Sequence, residues 1–305
     1  MELTFNELSL STTSHSAQAS ALYDDFFGCC LILQQTYKEN IELHFSEEPH
    51  THIFHPDLSF FSWLKICSRD DQRSILLMLT KTPIVIDYPY YQTTELDGMG
   101  LGYAYENDLL LISFSSADKW RQDYLEVRKN WINDEDDLEE ETLFLANLTD
   151  SNSAARHEKL IIDKVEKGRL MAIKNVSCGE ELWLKRKSVF PSLIFCDHLD
   201  QSFKQLPGGT IFRNLVNRLQ EFEKYFSTWD NGDFDVKAMS GDPRLESKTR
   251  VNLYKDKITF LCPDDETRLF QLHCDYGVYG MRMHFFPDTL FRKCFIGYFG
   301  KKIGA

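Results

Sequence analysis

The chain has 305 residues, of which 43% are hydrophobic and 27% are charged. This composition is typical of a globular protein and excludes a fibrous or a disordered one. The 34 Lys and Arg residues stand against 47 Asp and Glu residues, so the formal net charge is −13. Taken as a whole, the chain is therefore not a cationic clamp for nucleic acid.

The negative charge is concentrated in the first two thirds of the chain. Residues 201–305 carry 16 Lys and Arg against 13 Asp and Glu, a net charge of +3, which leaves −16 for residues 1–200. Within residues 134–141, every side chain except one is a carboxylate. The asymmetry predicts that the two parts meet different partners. The acidic run itself predicts a solvent-exposed loop or face, with partner binding as the alternative.

Neither export nor membrane insertion is expected. Residues 1–16 contain Glu2 and Glu7 where a signal peptide requires Lys or Arg. No run of about 18 apolar residues occurs, so no transmembrane helix is expected. The cysteines are scattered and form no C-x-x-C pair, which favours reduced, buried thiols. We therefore expect a cytoplasmic protein with no membrane partner, no bound metal and no other cofactor.

The first part of the chain, residues 1–185, predicts an acidic α+β unit that acts as a sensor or binds a partner. Strands are predicted within 2–10 and at 41–45, 84–88, 109–114 and 123–131, and helices at 17–38, within 57–80 and near 154–168. The glycine-rich segment 98–105 predicts a turn, or a strand that another backbone approaches closely. Because it lacks G-x-G-x-x-G spacing and no helix is predicted after it, a phosphate-binding loop is not expected there.

The second part, residues 186–305, predicts helices followed by a four-stranded antiparallel meander. Helices are predicted at 199–206 and 211–227, the second with Thr210 as its N-cap. The four β-rich runs are residues 251–262, 268–274, 279–286 and 293–299. The turns between them are too short for parallel crossovers. The predicted fold class is therefore α+β, in two units that meet near residue 185.

Polar and apolar side chains alternate along two of these predicted strands. In the hairpin register that we expect, His273 lies near Arg282. Gln271 then lies near His284 on the same sheet face. Two imidazoles and a guanidinium suit metal-independent cleavage of RNA, since either histidine can exchange protons with the 2′-hydroxyl and the leaving oxygen. Arg282 would bind the phosphate and stabilise its charge. The alternative is an ordinary solvated sheet face.

Other polar side chains of the C-terminal strands extend this predicted RNA site. Cations and an aromatic residue close to a phosphodiester can hold the substrate without taking part in proton transfer. The predicted substrate-binding residues are Arg268, Gln271, Tyr298, Lys301 and Lys302.

A second group of histidines, His50, His52 and His55, lies in a polar loop beside Glu47 and Glu48. Three imidazoles and a carboxylate can ligate a transition metal. The loop matches no known zinc signature, so no metal is predicted there and a solvated loop is the favoured interpretation.

Short motifs in the last third of the chain resemble those of a known family. The helices and the meander contain Leu272–His273 and Met281–Phe285 in central strands, and the chain ends in Phe295–Lys302, with an aromatic residue and a final Lys-Lys. Over about residues 211–302, this pattern resembles the RelE/ParE superfamily of bacterial toxins. The whole chain, through MELTFNELSL, LESKTR and FIGYFGKKI, is similar to uncharacterised proteins of bacterial genomic and defence islands.

The resemblance implies a toxin or antiviral defence effector. Such an effector would cleave mRNA, free or on the ribosome, or would poison DNA gyrase, and Arg282, Tyr298 and Lys301 or Lys302 would belong to its functional set. The chain is longer and more acidic than typical members, which implies a fused sensory, neutralising or partner-binding module. We therefore expect an RNA-cleaving effector. The alternative is a non-enzymatic adaptor or sensor that binds a protein encoded nearby.

Overall fold

The chain forms two units, each of which mixes helices with strands. A computed structural model describes residues 1–81, 84–93, 96–277 and 280–304, and the units are Met1–Gly168 and Arg169–Ala305. The α+β class is confirmed. The expected boundary near residue 185 lies inside the helix Gly179–Val189 of the second unit. The reason is that Leu182 and Trp183 of this helix belong to the second hydrophobic core.

The first unit contains strands and helices in the following order. They are β1 (Glu2–Phe5), α1 (Ser16–Tyr37), β2 (Glu42–His44), α2 (Phe60–Leu64), α3 (Arg69–Lys81), β3 (Tyr91–Gln92), β4 (Asp97–Gly98), α4 (Met99–Glu106), β5 (Leu110–Ile112), β6 (Tyr124–Ile132), β7 (Leu138–Leu148), α5 (Ser151–Arg156) and α6 (Glu158–Lys174), which continues into the second unit. The strand predicted at 84–88 is reduced to one bridge, between Ile84 and Phe45.

The strands of the first unit form one sheet, in the order β2-β1-β5-β7-β6-β3-β4 within the described residues. β2, β1, β5 and β7 are parallel, whereas β7-β6, β6-β3 and β3-β4 are antiparallel. Leu3 and Phe5 of β1 share a core with α1 and with residues of α2 and α3. Leu101 and Ala104 of α4 join a different core with Leu111 of β5 and with residues of β6 and β7. Alternate side chains of the sheet are thus buried under different helices.

The glycine-rich segment 98–105 forms helix α4 and not the turn or strand that we predicted. The close backbone approach is present, because a Cβ atom on Gly102 would lie 1.9 Å from the carbonyl oxygen of Pro89. The N-terminus of α4 is occupied by a carboxylate of the chain itself, since the Gly100 N–H donates to Glu7 Oε1 at 3.0 Å. Burial raises the pKa of Glu7 even though this donor lowers it. An exogenous phosphate would have to displace Glu7.

The second unit continues with shorter elements. They are α7 (Gly179–Val189), β8 (Leu193–Phe195), α8 (Leu199–Lys204), α9 (Thr210–Thr228), β9 (Arg244–Leu245), α10 (Lys248–Tyr254), β10 (Thr259–Leu261), β11 (Thr267–Leu269), β12 (Leu272–Asp275), β13 (Met281–Asp288) and β14 (Lys293–Lys301). Gly209, with φ of 123°, is the N-cap of α9, so the expected cap Thr210 is the first helical residue. No helix of the described residues in either unit is long and apolar enough to span a bilayer.

The C-terminal sheet has five strands, and the predicted four-stranded meander is wrong. The order is β8-β14-β13-β12-β9, and β8 pairs with β14 in parallel. Residues 251–257, expected as a strand, instead end α10 and form a 3-10 turn. β10 and β11 pair with each other in a separate hairpin. The prediction missed β8 because residues 196–292 separate it from β14, and pairing across so long a connection leaves no local pattern in the sequence. The two-residue edge strand β9 was missed as well.

The two faces of this sheet have different neighbours. Met283 and Phe285 of β13 share a core with α9, and the Phe285 ring centroid lies 4.7 Å from that of Phe222. The other face carries His273, Arg282 and His284, in accordance with the predicted alternation. Residues 246–270, which comprise α10, β10 and β11, contribute contacts over this second face. We call this segment the cover.

Gly102→Ala should destabilise the first unit by about 3 kcal/mol, since its Cβ would meet a backbone oxygen that cannot rotate away. Gly28→Ala in α1 is the matched control, because a Cβ there meets nothing within 4 Å, and we expect a gain of about 0.5–1 kcal/mol. Urea unfolding followed by tryptophan fluorescence measures both changes. A Gly102→Ala variant as stable as the wild type would contradict the close approach of α4.

Candidate functional site

The predicted histidines and arginine share one sheet face, but their register differs from the expected one. His273 lies directly opposite His284, and Asp275 lies opposite Arg282. The ring centroids of the two histidines are 5.4 Å apart. The expected pairing of His273 with Arg282 was therefore shifted by two residues along β13. A shift of two keeps every side chain on its face, whereas a shift of one would have reversed the faces.

The cover removes the two histidines from solvent. His273 is 2% exposed and His284 is 1% exposed. The Nδ1 atom of His284 lies 3.1 Å from the carbonyl oxygen of Phe270, a bond in which Nδ1 donates. Both ring nitrogens of His273 and Nε2 of His284 have no hydrogen-bond partner within the described parts of the chain. The imidazoles are thus buried between the sheet and the cover.

A carboxylate that the sequence analysis missed completes this cluster. Glu246 follows β9, and its side chain is 5% exposed. Its Oε1 accepts from Arg282 Nη1 at 2.7 Å, and its Oε2 accepts from Arg250 Nε at 2.9 Å. The Nδ1 atom of His273 lies 3.7 Å from the same Oε1. The spacing of Glu246 and Arg250, four residues apart, was the only local signal. We call His273, His284, Arg282, Arg250 and Glu246 the buried polar cluster.

The electrostatics of the buried polar cluster favour neutral imidazoles. Burial and the charge of Arg282 lower the pKa of His273 to about 4. Burial also lowers the pKa of His284, although its bond to Phe270 acts in the opposite direction. Burial alone would raise the pKa of Glu246, but His273, Arg250 and Arg282 outweigh it and the pKa is lowered. At neutral pH the cluster therefore consists of two uncharged histidines beside an ionised carboxylate.

This arrangement limits the chemistry that the cluster can perform. Arg282 also contacts Asp275, with Nε and Oδ1 3.3 Å apart, so its charge is already compensated by two carboxylates. A shallow crevice lined by Glu246, Arg250, Tyr254, Ile258 and Ile303 leaves no enclosed space for even a water-sized molecule. In the closed arrangement, an RNA backbone cannot reach either histidine.

The predicted substrate-binding residues are not brought together as one surface. The ring of Tyr298 lies near His284, with centroids 5.8 Å apart, and its hydroxyl donates to the Lys301 carbonyl at 2.6 Å. Arg268 is held elsewhere, by two bonds of 2.6 Å to Asp264. This bidentate bond raises the pKa of Arg268. The side chains of Gln271 and Lys301 are exposed, and that of Lys302 is half-buried.

The first unit has a crevice of the kind in which α/β proteins often bind ligands. In open α/β sheets, ligands bind at the carboxyl ends of parallel strands where the strand order reverses, which here is between β1 and β5. That crevice is filled, because Asn6 Nδ2 donates to Ser113 Oγ at 2.9 Å and Ser113 donates to Asn147 at 2.6 Å. All three side chains are buried. The crevice therefore holds part of the protein's own polar core.

The histidine loop does not assemble a cation site. The ring of His50 packs on Phe60, with centroids 5.6 Å apart, and His52 packs on Phe54. His55 instead accepts a bond from the backbone N–H of Asp57. Across the residues described by the structure, no group of three His, Cys, Asp or Glu side chains is arranged to hold a metal ion.

The hairpin of β6 and β7 exposes large apolar side chains on one of its two faces. Its inner face packs in a core through Leu125, Val127, Leu143 and Leu145. Its outer face carries four large apolar side chains that are 54–75% exposed, namely Tyr124, Ile132, Leu138 and Phe144. The acidic residues 134–141 form the turn and the start of β7, and their side chains are exposed, as predicted. We call this surface the hairpin face.

Comparisons with known proteins found no match, so the interpretation of the candidate site rests on its own residues. No protein-family model matches the chain, and neither the curated proteins nor the solved structures give a match. The resemblance to RelE/ParE toxins therefore rests on the short motifs of the last third.

Glu246→Ala should destabilise the second unit by about 3 kcal/mol, because it leaves Arg282 and Arg250 without their buried counter-ion. The exposed Glu266 provides a matched control, and Glu266→Ala should change stability by less than about 0.5 kcal/mol. Denaturant unfolding of both variants measures the difference. Equal stabilities would show that Glu246 does not hold the cover.

The second unit should lose stability as the pH falls from 7.5 to 5. The pKa of His273 is about 4 in the folded chain against an ordinary value of 6.5. Between these values, the unfolded chain binds a proton that the folded chain does not, so acidification favours unfolding. The lowered pKa of His284 acts in the same direction. Thermal unfolding should show a smaller pH dependence in His273→Asn, and an unchanged dependence would contradict a neutral, buried His273.

Proposed function

We propose that this chain is a non-enzymatic interaction protein, an adaptor or sensor of a bacterial defence system. The observation that carries the proposal is the hairpin face, on which four large apolar side chains are more than half exposed. Exposed apolar groups that share one face mark interaction sites more often than isolated ones do. The resemblance to proteins of defence islands supports the biological setting.

The pairing of β6 with β7 explains why these side chains form one surface. Ile132 lies opposite Leu138, and Glu126 lies opposite Phe144, so these residues share a face. Tyr124, opposite Ala146, is the next outward residue of β6. Ala146 is partly buried against the first core, whereas the side chains farther along the hairpin are exposed. The free chain thus exposes apolar area that a partner could remove from water.

The buried polar cluster supports the same proposal from the other unit. A ribonuclease of the expected type needs one protonated imidazole and one uncompensated cation beside the phosphate. Here both histidines have lowered pKa values, and Glu246 and Asp275 compensate Arg282. A cluster of this kind contributes to the structure of the cover and needs no substrate.

The purified full chain should leave RNA intact. A structured RNA and an unstructured RNA are incubated with the protein at pH 7 in EDTA, and their lengths are followed on a denaturing gel. We also expect the chain to form a stable complex with the product of an adjacent gene. The double variant Leu138→Ser/Phe144→Ser should lose that complex while keeping the wild-type melting temperature, because both side chains are exposed.

Two outcomes would refute the interaction proposal. One is cleavage of RNA by the wild type that disappears in a folded His273→Ala variant. The other is the failure of every adjacent gene product to bind the wild-type chain in a way that the hairpin variant alters. The exposed pair Leu253→Ser/Leu261→Ser in the cover is the control for a general loss of surface hydrophobicity.

Metal-independent RNA cleavage in a toxin or defence effector is the second candidate function. The observation that favours it is that His273, His284 and Arg282 do meet on one face, with ring nitrogens that have no partner among the described residues. This candidate requires the cover to move. Glu246→Gln, which removes the counter-ion, should then raise cleavage at least tenfold, and His273→Ala added to it should abolish cleavage. Intact RNA with both variants would dismiss this candidate.

A further inference from the structure

We infer that the partner of the hairpin face is a cationic protein segment with at least two large apolar side chains. This inference rests on the proposed function and specifies the chemistry of its partner. It follows from the apolar groups of the hairpin face together with the carboxylates at its tip.

The negative charge of the hairpin tip is not balanced by the hairpin's own cations. Residues 130–155 contain no Lys or Arg. Of the two cations in β6, Arg128 lies 3.6 Å from Glu140. Lys129 lies 3.3 Å from Glu106 and packs over the rings of Tyr91 and Tyr105.

Most of the acidic run therefore remains available to a partner. Within the described parts of the chain, four carboxylates of the turn have no Lys or Arg within 4 Å, and these are Asp134, Glu135, Asp136 and Asp137, whereas Glu139 and Glu141 of β7 lie on the face opposite Leu138 and Phe144. Their side chains are exposed. A dense group of exposed charges raises the local concentration of an oppositely charged partner and accelerates its association.

The turn at the tip is ordered by its own hydrogen bonds. Asn133 Oδ1 accepts from the backbone N–H groups of Glu135 and Asp137, at 2.9 and 3.0 Å. Asn133 Nδ2 donates to Glu139 Oε1 at 2.7 Å. The carboxylates are thus attached to a defined turn. A partner would not have to order the backbone of this turn, which reduces the entropic cost of binding.

The apolar side chains of the hairpin face form two anchor points. Ile132 and Leu138 lie at the tip, and Tyr124 and Phe144 lie toward the base. Leu138 and Phe144 are six residues apart on β7, which corresponds to roughly 20 Å at about 3.3 Å per residue. A polar band that contains Arg128 and Glu140 separates them. An extended partner segment therefore needs about seven residues to reach both anchors.

The same charges disfavour the other possible occupants. Two copies of the hairpin face pressed together would bring two sets of carboxylates close to each other, and like charges at an interface oppose association. Nucleic acid carries the same sign of charge and would also be repelled. A basic protein segment satisfies both the charge and the apolar anchors.

Selection of binders from a peptide display library tests this inference on the full chain. A random library of 16-residue peptides is selected at 50 mM NaCl against the wild type, with the Leu138→Ser/Phe144→Ser variant as the counter-target. We expect the enriched peptides to be basic and to carry at least two large apolar residues. Their affinity, measured by fluorescence anisotropy, should be at least tenfold weaker for the counter-target.

A charge variant separates electrostatic attraction from apolar contact. Asp134→Asn/Glu135→Gln/Asp137→Asn should weaken binding of the selected peptides about fivefold at 50 mM NaCl and much less at 500 mM, where salt already screens the charges. The control removes three exposed carboxylates elsewhere, by Asp163→Asn/Glu166→Gln/Glu266→Gln, and should leave the affinity unchanged. Equal effects of the two variants would overturn the inference.

The outcomes distinguish this inference from the proposed function. If the enriched peptides are neutral or acidic but still require Leu138 and Phe144, the partner is not cationic and the interaction function stands. If neither an adjacent gene product nor a selected peptide needs the hairpin face for binding, both the inference and the proposed function are refuted. A concentration-dependent dimer of the wild type that is absent from Leu138→Ser/Phe144→Ser would identify a second copy as the occupant and overturn the inference.

Discussion

The buried carboxylate of Glu246 is the interaction on which the architecture of the second unit depends. It binds Arg250 of the cover and Arg282 of the sheet at the same time, so it connects the two layers, which the His284–Phe270 and Arg268–Asp288 contacts also join. Burying a carboxylate is costly unless cations compensate it, and two guanidinium groups do so here. The cover keeps its position over β12 and β13 because moving either arginine away would leave the buried carboxylate without one of its two compensating charges.

The residues beneath the cover that Glu246 holds in place have a different role from the one expected for an open sheet face. Two histidines and an arginine on a sheet face suggest proton transfer and phosphate binding when the face is open. Under the cover, His273 and His284 are buried and uncharged at neutral pH, and Arg282 is paired. The mild positive charge of the last third therefore does not converge at the histidines. Whether a side chain serves catalysis or structure is decided here by what packs against it.

In the first unit, the protein's own groups occupy the places where ligands commonly bind. Glu7 receives the N–H group at the start of α4, and Asn6, Ser113 and Asn147 fill the crevice where the strand order reverses. The hairpin of β6 and β7 differs from these places, since its inner face is packed and its outer face is exposed. The acidic residues at the hairpin tip thus lie beside an exposed apolar surface. We regard these charges and the apolar side chains as one feature.

The sequence by itself determined which side chains share a face. Period-two alternation put His273, Arg282 and His284 together, and this survived a register error because the error was two residues. Local patterns also predicted α1, α9, β6 and the exposure of residues 134–141. Only the tertiary structure decided that α4 is a helix packed on Pro89, that β8 joins the C-terminal sheet, and that Glu246 reaches His273 and Arg282. These contacts join residues that are separated in the chain. The alternation of polar and apolar residues determines which sheet face a side chain occupies, but it does not determine which residue packs against that side chain.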